Sequence, residues 1–379
     1  MSDLISTTKD LENFIATLKN PDWIALDTEF LRERTYYAQL CLIQIEAKGK
    51  RACIDPLAIN DMSALFDMLN NPDIIKVFHA AHQDLEILMQ LTGKIPAPIF
   101  DTQVAASVLG IGDQISYARL VEELLGISLS KTQSRTDWTQ RPLDAKQLEY
   151  AIDDVRYLAQ IYPKMMEQLN SLGRLNWLTK DFTKAISPET YAINARERWQ
   201  KVRGNQVLKR QQLAVLRELA EWRENRAEKS NLPRKWIISD EILIDLAKQQ
   251  PTNSQQISKI RGINPDRTKK YHDLWLKLIN KGKNLPESEW PEQPRSKKPT
   301  SQQNLVIDLL MLVVQIKARE NKISPAAIAT RKSIAKMVQS GNSHLSDDWR
   351  DVLVHQSFTD VLSGKKTIGI ENNRAILTE

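Results

Sequence analysis

The chain has 379 residues, 41% hydrophobic and 26% charged, with a formal net charge of +6. That length exceeds one ordinary domain, so two or three are expected, of the globular water-soluble class. The longest apolar run, Leu305 to Ile316, contains Asp308 and is too short for a bilayer, and the N-terminus shows no basic region followed by an apolar core, so membrane-spanning and secreted classes are set aside.

The first half alternates strands and helices. Asp22 to Phe30 reads as a strand. Gln39 to Ala47 alternates apolar and polar residues, and Lys48-Gly49-Lys50 turns it into a further strand, Arg51 to Asp55. A helix is predicted over 64–70, a short strand over 74–78 and an amphipathic helix over 83–91. Helices follow over 101–109 and 118–125. Asp144 is placed to cap a long helix running through Tyr150 and Asp154 to about Leu169. Strands first and helices later predict a mixed sheet flanked by helices.

Beyond Gly173 the strand signals fade. Leu213, Leu216, Leu219, Ala220 and Trp222 recur at helical spacing within 211–226. More helices are predicted over 240–248, 253–260 and 264–280. Residues 282–303, rich in Pro, Lys, Ser and Gln, read as a linker. A last helical segment begins at Asn304, includes 324–339 and ends near Leu377. Residues 1–170 carry 16 Lys and Arg against 24 Asp and Glu, a net of −8, while the remainder carries 37 against 23, a net of +14. An acidic first half suits a metal-binding catalytic domain; a basic second half suits a polyanion-binding module, or simply solvated helices.

Four carboxylates and a tyrosine stand out against this background. Asp27 and Glu29 are two apart on a predicted strand, so they share a face. Tyr150 and Asp154 are four apart on a predicted helix, again one face. Asp84 opens a helix, where the dipole favours an acid. Each sits beside apolar sequence, where an unpaired carboxylate is costly. Together they predict a hard, all-oxygen site for two Mg²⁺ or Mn²⁺ ions. Asp27 would bridge, Glu29 and Asp154 would complete one ion's shell, Asp84 would serve the other, and Tyr150 would orient the attacking water. His82 reads equally as a helix cap or packing residue. Cys41 and Cys53 fall in predicted strands, and two buried unbridged thiols suit a reducing cytosol, so a cytoplasmic location is expected. No Gly-x-x-x-x-Gly-Lys-Ser/Thr loop is present to power a helicase.

These motifs are Leu26-Asp27-Thr28-Glu29-Phe30, His79 to Leu85, and Asp137 to Leu143 with Gln147 to Val155. In this order, with Tyr-x-x-x-Asp in the last, the chain resembles the ribonuclease D family, DEDD-superfamily 3′→5′ exonucleases of the tyrosine subgroup. Residues 211–281 resemble an HRDC domain, and the C-terminal segment resembles that family's second, more diverged HRDC-like domain.

The resemblance implies an α/β ribonuclease H-like exonuclease domain followed by two all-α HRDC-type bundles. The implied spans are 1–172 for the exonuclease, 173–207 for connecting helices, 208–283 for the HRDC domain, 284–303 for a linker and 304–379 for the second helical domain. It implies metal-dependent removal of 3′-terminal nucleotides from RNA, notably tRNA precursors, with release of nucleoside 5′-monophosphates. Phe30, Leu31, His79 and Gln83 would line the terminal-nucleotide pocket and Arg141 would contact phosphate. Phe30 equally suits the core, and Arg141 equally suits a structural ion pair. A monomer is expected. A DNA exonuclease of the same superfamily, or an inactive RNA-binding adaptor, are the competing functions.

Overall fold

The computed structural model describes residues 4–129, 136–293, 298–342 and 344–379. The described residues divide into two compact units. One draws on residues 1–30, 40–190 and 297–379, the other on 31–39 and 191–296.

The first unit begins with β1 (Leu4–Ile5) and α1 (Thr8–Thr17), then β2 (Trp23–Leu31), β3 (Gln39–Ala47), β4 (Lys50–Ile54), α2 (Ser63–Asn70), β5 (Ile75–Phe78), α3 (His82–Thr92), β6 (Ile99–Asp101), α4 (Thr102–Leu109), α5 (Tyr117–Leu125) and α6 (Ala145–Ser171). The six strands form one sheet in the order β1-β4-β3-β2-β5-β6. β3 and β4 are antiparallel, whereas β5 runs parallel to β2 and to β6, so the sheet is mixed. Ala25 pairs with Val77 and Phe78 with Asp101. The ends of three parallel strands therefore bring the segments after Ala25, Val77 and Phe100 to the same side of the sheet. Ala25, Val77 and Phe100 are also buried in a core shared with Val155, Leu158 and Tyr162 of α6. That packing fixes α6 against the strands.

α6 is started by a reciprocal pair. The Asp144 carboxylate accepts from the Gln147 backbone at 2.8 Å, and the Gln147 side chain accepts from the Asp144 backbone at 2.9 Å. Its first three turns hold Tyr150 and Asp154. α1, β1 and β6 are not among the predicted elements. β6 is three residues long and fully buried, so it lacks the alternation that marks a strand.

The C-terminal segment joins the same unit. Ser324 donates its backbone N–H to the Ser107 carbonyl at 3.1 Å. Trp177 and Trp349 stack at 4.2 Å, and Arg350 reaches Asp181 at 2.6 Å. The helix predicted over 324–339 is two helices, Pro325–Ile328 and Arg331–Ser340. Ala329 between them is extended, and Thr330 caps the second through Ser333. The chain does not stay helical to its end: Thr367–Glu371 and Arg374–Thr378 form an antiparallel hairpin, with Asn372 and Asn373 both at positive φ in the turn.

The second unit is built around the helix Arg210–Lys229, whose Leu213, Leu216 and Leu219 are buried with Trp275 and Ile279. The helix predicted over 264–280 is broken into Pro265–Thr268, a 3₁₀ turn and His272–Lys283. The linker expected over 284–303 lies partly outside the described residues; its described part includes a 3₁₀ turn at Glu287–Glu289, and the next helix begins at Ser301. Buried Glu224 accepts two bonds from Arg234, both at 2.6 Å, and one from the Tyr36 hydroxyl at 2.7 Å. Asn231 accepts the backbone N–H groups of Tyr36 and Tyr37. Segment 31–39 is thus stitched to residues more than 180 positions away.

Gly282 permits the closest helix contact in this unit. A Cβ there would lie 2.6 Å from Val215 Cα and 2.9 Å from the Ala214 carbonyl oxygen. Both are backbone atoms and cannot swing aside. Gly282→Ala is expected to cost about 1–3 kcal/mol. A denaturation series checks this; a variant as stable as the parent would mean the two helices separate freely.

Candidate active site

Asp27 and Glu29 lie on β2 and Asp154 lies on α6. One carboxylate oxygen from each falls within 4.8 Å of the others. Asp84, in the first turn of α3, is buried and accepts a 2.5 Å bond from the Thr28 hydroxyl, which ties it to the same strand. Asp153, beside Asp154, instead pairs with Arg156 at 2.5 Å. All four expected acids are therefore brought together by three elements.

Such a cluster is electrostatically expensive. Two unit charges about 4.8 Å apart at an effective dielectric of about 20 repel by roughly 3–4 kcal/mol. Burial first, then Asp154 and Asp84, push the Glu29 carboxyl up to about 8. Burial pushes Asp84 up to about 7, against the pull of the Thr28 hydroxyl. Asp154 rises to about 7 through burial and then Asp153. Asp27 is raised well above the carboxylate range by burial, then by Asp154, Asp84 and Glu29. Nothing cationic among the described residues offsets these four groups in their titration. A divalent cation would. The donor set is all oxygen, which fits a hard ion.

The linkage sign follows. A carboxylate with a raised folded value favours the folded state below its unfolded value, and that contribution fades as pH climbs through the folded value. With folded values of about 7 to 8, the metal-free protein is expected to lose stability from about pH 4 up to about pH 8 and to level off above that, while Mg²⁺ or Mn²⁺ binding tightens as pH approaches the folded values. Thermal melts across that range with and without Mn²⁺ test it. A metal-induced shift that is flat with pH would detach the ion from these groups.

Tyr150 is half-buried, its ring 6.3 Å from that of Trp138. Its phenol is raised by burial and by Asp154, Glu29 and Asp27, so it stays protonated beside the carboxylates. It can orient a water but is a poor base. Tyr117, which sequence reading did not single out, donates its hydroxyl to the Asp153 and Asp154 carbonyls and so fixes the turn bearing Asp154. Asp101 was read only as helix sequence. It accepts the backbone N–H groups of Ala80 and Ala81 at 3.0 and 2.9 Å, and Ala80 is held at φ +59°. That shapes the bend leading into Asp84. An acid three residues after Pro98, at a helix start, was the available signal.

Of the expected substrate contacts, Phe30 and Leu31 close β2 and are half-buried, and Gln83 is exposed on α3. Two of the expected contacts are engaged within the protein. His79 commits both ring nitrogens within the protein, Nδ1 to the Thr102 hydroxyl at 2.9 Å and Nε2 to the Ile115 carbonyl at 3.0 Å. Arg141 places its five N–H groups against five acceptors: both Asp55 oxygens and the carbonyls of Cys41, Trp138 and Gln140, all within 2.8 Å. All five donors are thus engaged within the protein, in the geometry of a structural brace. His82 is exposed at the start of α3.

Comparison with known proteins decides the family. A 3′-5′ exonuclease model matches residues 3–170 and an HRDC-domain model matches 212–279. The chain is 38% identical to ribonuclease D of Bartonella henselae, over 99% of this chain and 93% of the relative. It is 39% identical to ribonuclease D of Sphingobium indicum, over 99% and 98%. This chain belongs to the ribonuclease D family. Among solved structures, Escherichia coli RNase D, described as an exoribonuclease involved in structured RNA processing, superposes with a TM-score of 0.82 at 30% identity, covering 96% of this chain and 99% of that one. The exonuclease domain, the HRDC domain and the 3′→5′ exoribonuclease activity expected of a ribonuclease D family member stand on these matches. No helix among the described residues is long and apolar enough to cross a membrane.

Proposed function

We propose that the chain trims 3′ ends of structured RNA, tRNA precursors foremost, releasing nucleoside 5′-monophosphates with two Mg²⁺ or Mn²⁺ ions held by Asp27, Glu29, Asp84 and Asp154. The convergence of Asp27, Glu29 and Asp154, with Asp84 tethered through Thr28, carries the proposal. When bound, the ions would supply Lewis acidity and charge neutralisation at the phosphate. Tyr150, kept protonated, would hold the attacking water by a hydrogen bond. Phe30, Leu31 and Gln83 would meet the terminal nucleotide, Phe30 by stacking. His79 and Arg141 would act indirectly, by fixing the segments they brace. The name and structural description of the relatives support RNA as substrate. A monomer acting in the cytoplasm is part of the same proposal; buried Cys41 and Cys53 without a disulfide suit a reducing compartment.

A tRNA precursor with a 3′ extension, labelled at its 5′ end, provides the test. A ladder of single-nucleotide steps with Mg²⁺ or Mn²⁺, abolished by chelator, is expected. Equal or faster shortening of matched single-stranded DNA would move the substrate to DNA, and binding without cleavage would leave an adaptor.

A further inference from the structure

The chain holds five histidines, and two of them meet on one carboxylate far along the sequence from the catalytic acids. Asp351 and His355 are four apart on the helix Trp349–Leu362 and share a face. His344 comes from the preceding loop. Its ring stacks on that of His355, with centroids 4.1 Å apart and planes 7° from parallel. Both rings turn Nδ1 toward the same atom, Asp351 Oδ2, at 2.6 Å for His344 and 3.7 Å for His355. One ligand atom from each of the three residues lies within 4.8 Å of the others.

We propose that His344, Asp351 and His355 form a second metal site, taking a borderline divalent cation of the Zn²⁺ class and serving the stability of the C-terminal segment. Two imidazoles and one carboxylate are the donors such ions select, in contrast to the all-oxygen catalytic set. Zinc bonds of about 2.0–2.1 Å at tetrahedral angles put ligand atoms on the order of 3.3 Å apart. On binding, the 2.6 Å pair would open, the 3.7 Å pair would close and the two imidazoles would turn out of their parallel stack, since a metal bond lies in the plane of its ring. The support is already in place. Asp351 Oδ1 accepts the Leu345 backbone N–H at 2.7 Å, and the His344 backbone donates to Asn342 at 3.1 Å. Bonds of this kind orient metal ligands. Val354 and Phe358, three and seven residues after Asp351, bury the adjoining stripe of the helix, so the ligand pair stands beside a packed core. His344 is more than half exposed, which leaves the ion an entry path and room for a water as fourth ligand. The ion would clip the loop holding His344 to the helix.

The test uses the full chain with Mg²⁺ in excess, so that the catalytic carboxylates are occupied, titrated with Zn²⁺ by calorimetry. Wild type is expected to take up one zinc more than either His344→Ala or His355→Ala, or to bind it about tenfold or more tightly. Zinc should raise the melting temperature of wild type and not of the variants. Melts in chelator show that each variant is folded; His344 is exposed enough that its loss leaves the helix intact. Co²⁺ offers a direct view of the ligands, since its visible absorption should change on binding wild type and lose that change in the variants. Equal zinc uptake by wild type and both variants, or none by wild type, overturns the proposal and leaves His344 and Asp351 as a loop-to-helix hydrogen bond.

Discussion

Asp27→Asn is expected to lower 3′-end hydrolysis about a thousandfold or more while RNA binding persists. Asp27 is central to the carboxylate group: Asp154, Asp84 and Glu29 all act on its titration. Losing a metal ligand forfeits several kcal/mol of transition-state stabilisation, and about 4 kcal/mol is a factor of a thousand. The substitution should also reverse the order of stabilities. Without metal, an amide removes one of the mutually repelling charges, so the variant should be the more stable protein above about pH 7, by an amount of order 1–3 kcal/mol. With Mn²⁺ present the wild type should lead. Melts of both proteins in chelator and in Mn²⁺, beside single-turnover cleavage, read all of this. Wild-type cleavage rates in the variant would remove Asp27 from the mechanism. Lost activity without the stability crossover would point to damage to the fold.

The same physics explains what could be read ahead of the structure. The four acids and Tyr150 were legible because their spacing is local: two on a strand, two on a helix, one at a helix start. The Asp144 cap was legible for the same reason, although its reciprocal partner Gln147 was not singled out. Residues whose role depends on a distant partner were not. His79 was expected at the substrate, and the hold that Thr102 and Ile115 have on its ring left no mark nearby in the sequence. Thr28 was read only as a letter of its motif, yet it fixes Asp84 from 56 positions away. The attachment of Tyr36 to Glu224 and Asn231 leaves no mark in either segment. Other misses had a signal that was outweighed. Thr330-x-x-Ser333 announces a new helix, and Asn372-Asn373 between isoleucine-rich stretches announces a hairpin. The apolar residues around both also suited helix, and short elements give little periodicity with which to choose.

Arg141→Met is expected to destabilise the protein by about 3–5 kcal/mol without a matching rise in KM for RNA at low temperature. The Asp55 carboxylate is 3% exposed. It accepts two bonds from Arg141 and one from the Leu57 backbone at 2.9 Å. Removing the guanidinium strands a buried charge, which is worse than never having the pair. Arg141→Lys should rescue little, because an ammonium cannot span two carboxylate oxygens and three carbonyls with a planar fork. A phosphate contact would behave differently. Its loss would raise KM, flatten the salt dependence and leave the fold intact. Denaturant titration of the two variants, with kcat and KM measured well below their melting range, separates the cases. A stable Arg141→Met with weakened, less salt-sensitive RNA binding would return this arginine to the substrate. Asp55→Asn gives an independent check, since it keeps the shape while removing the charge. If the brace is structural, the double variant Arg141→Met with Asp55→Asn should be more stable than Arg141→Met alone, because no buried charge is then left unpaired.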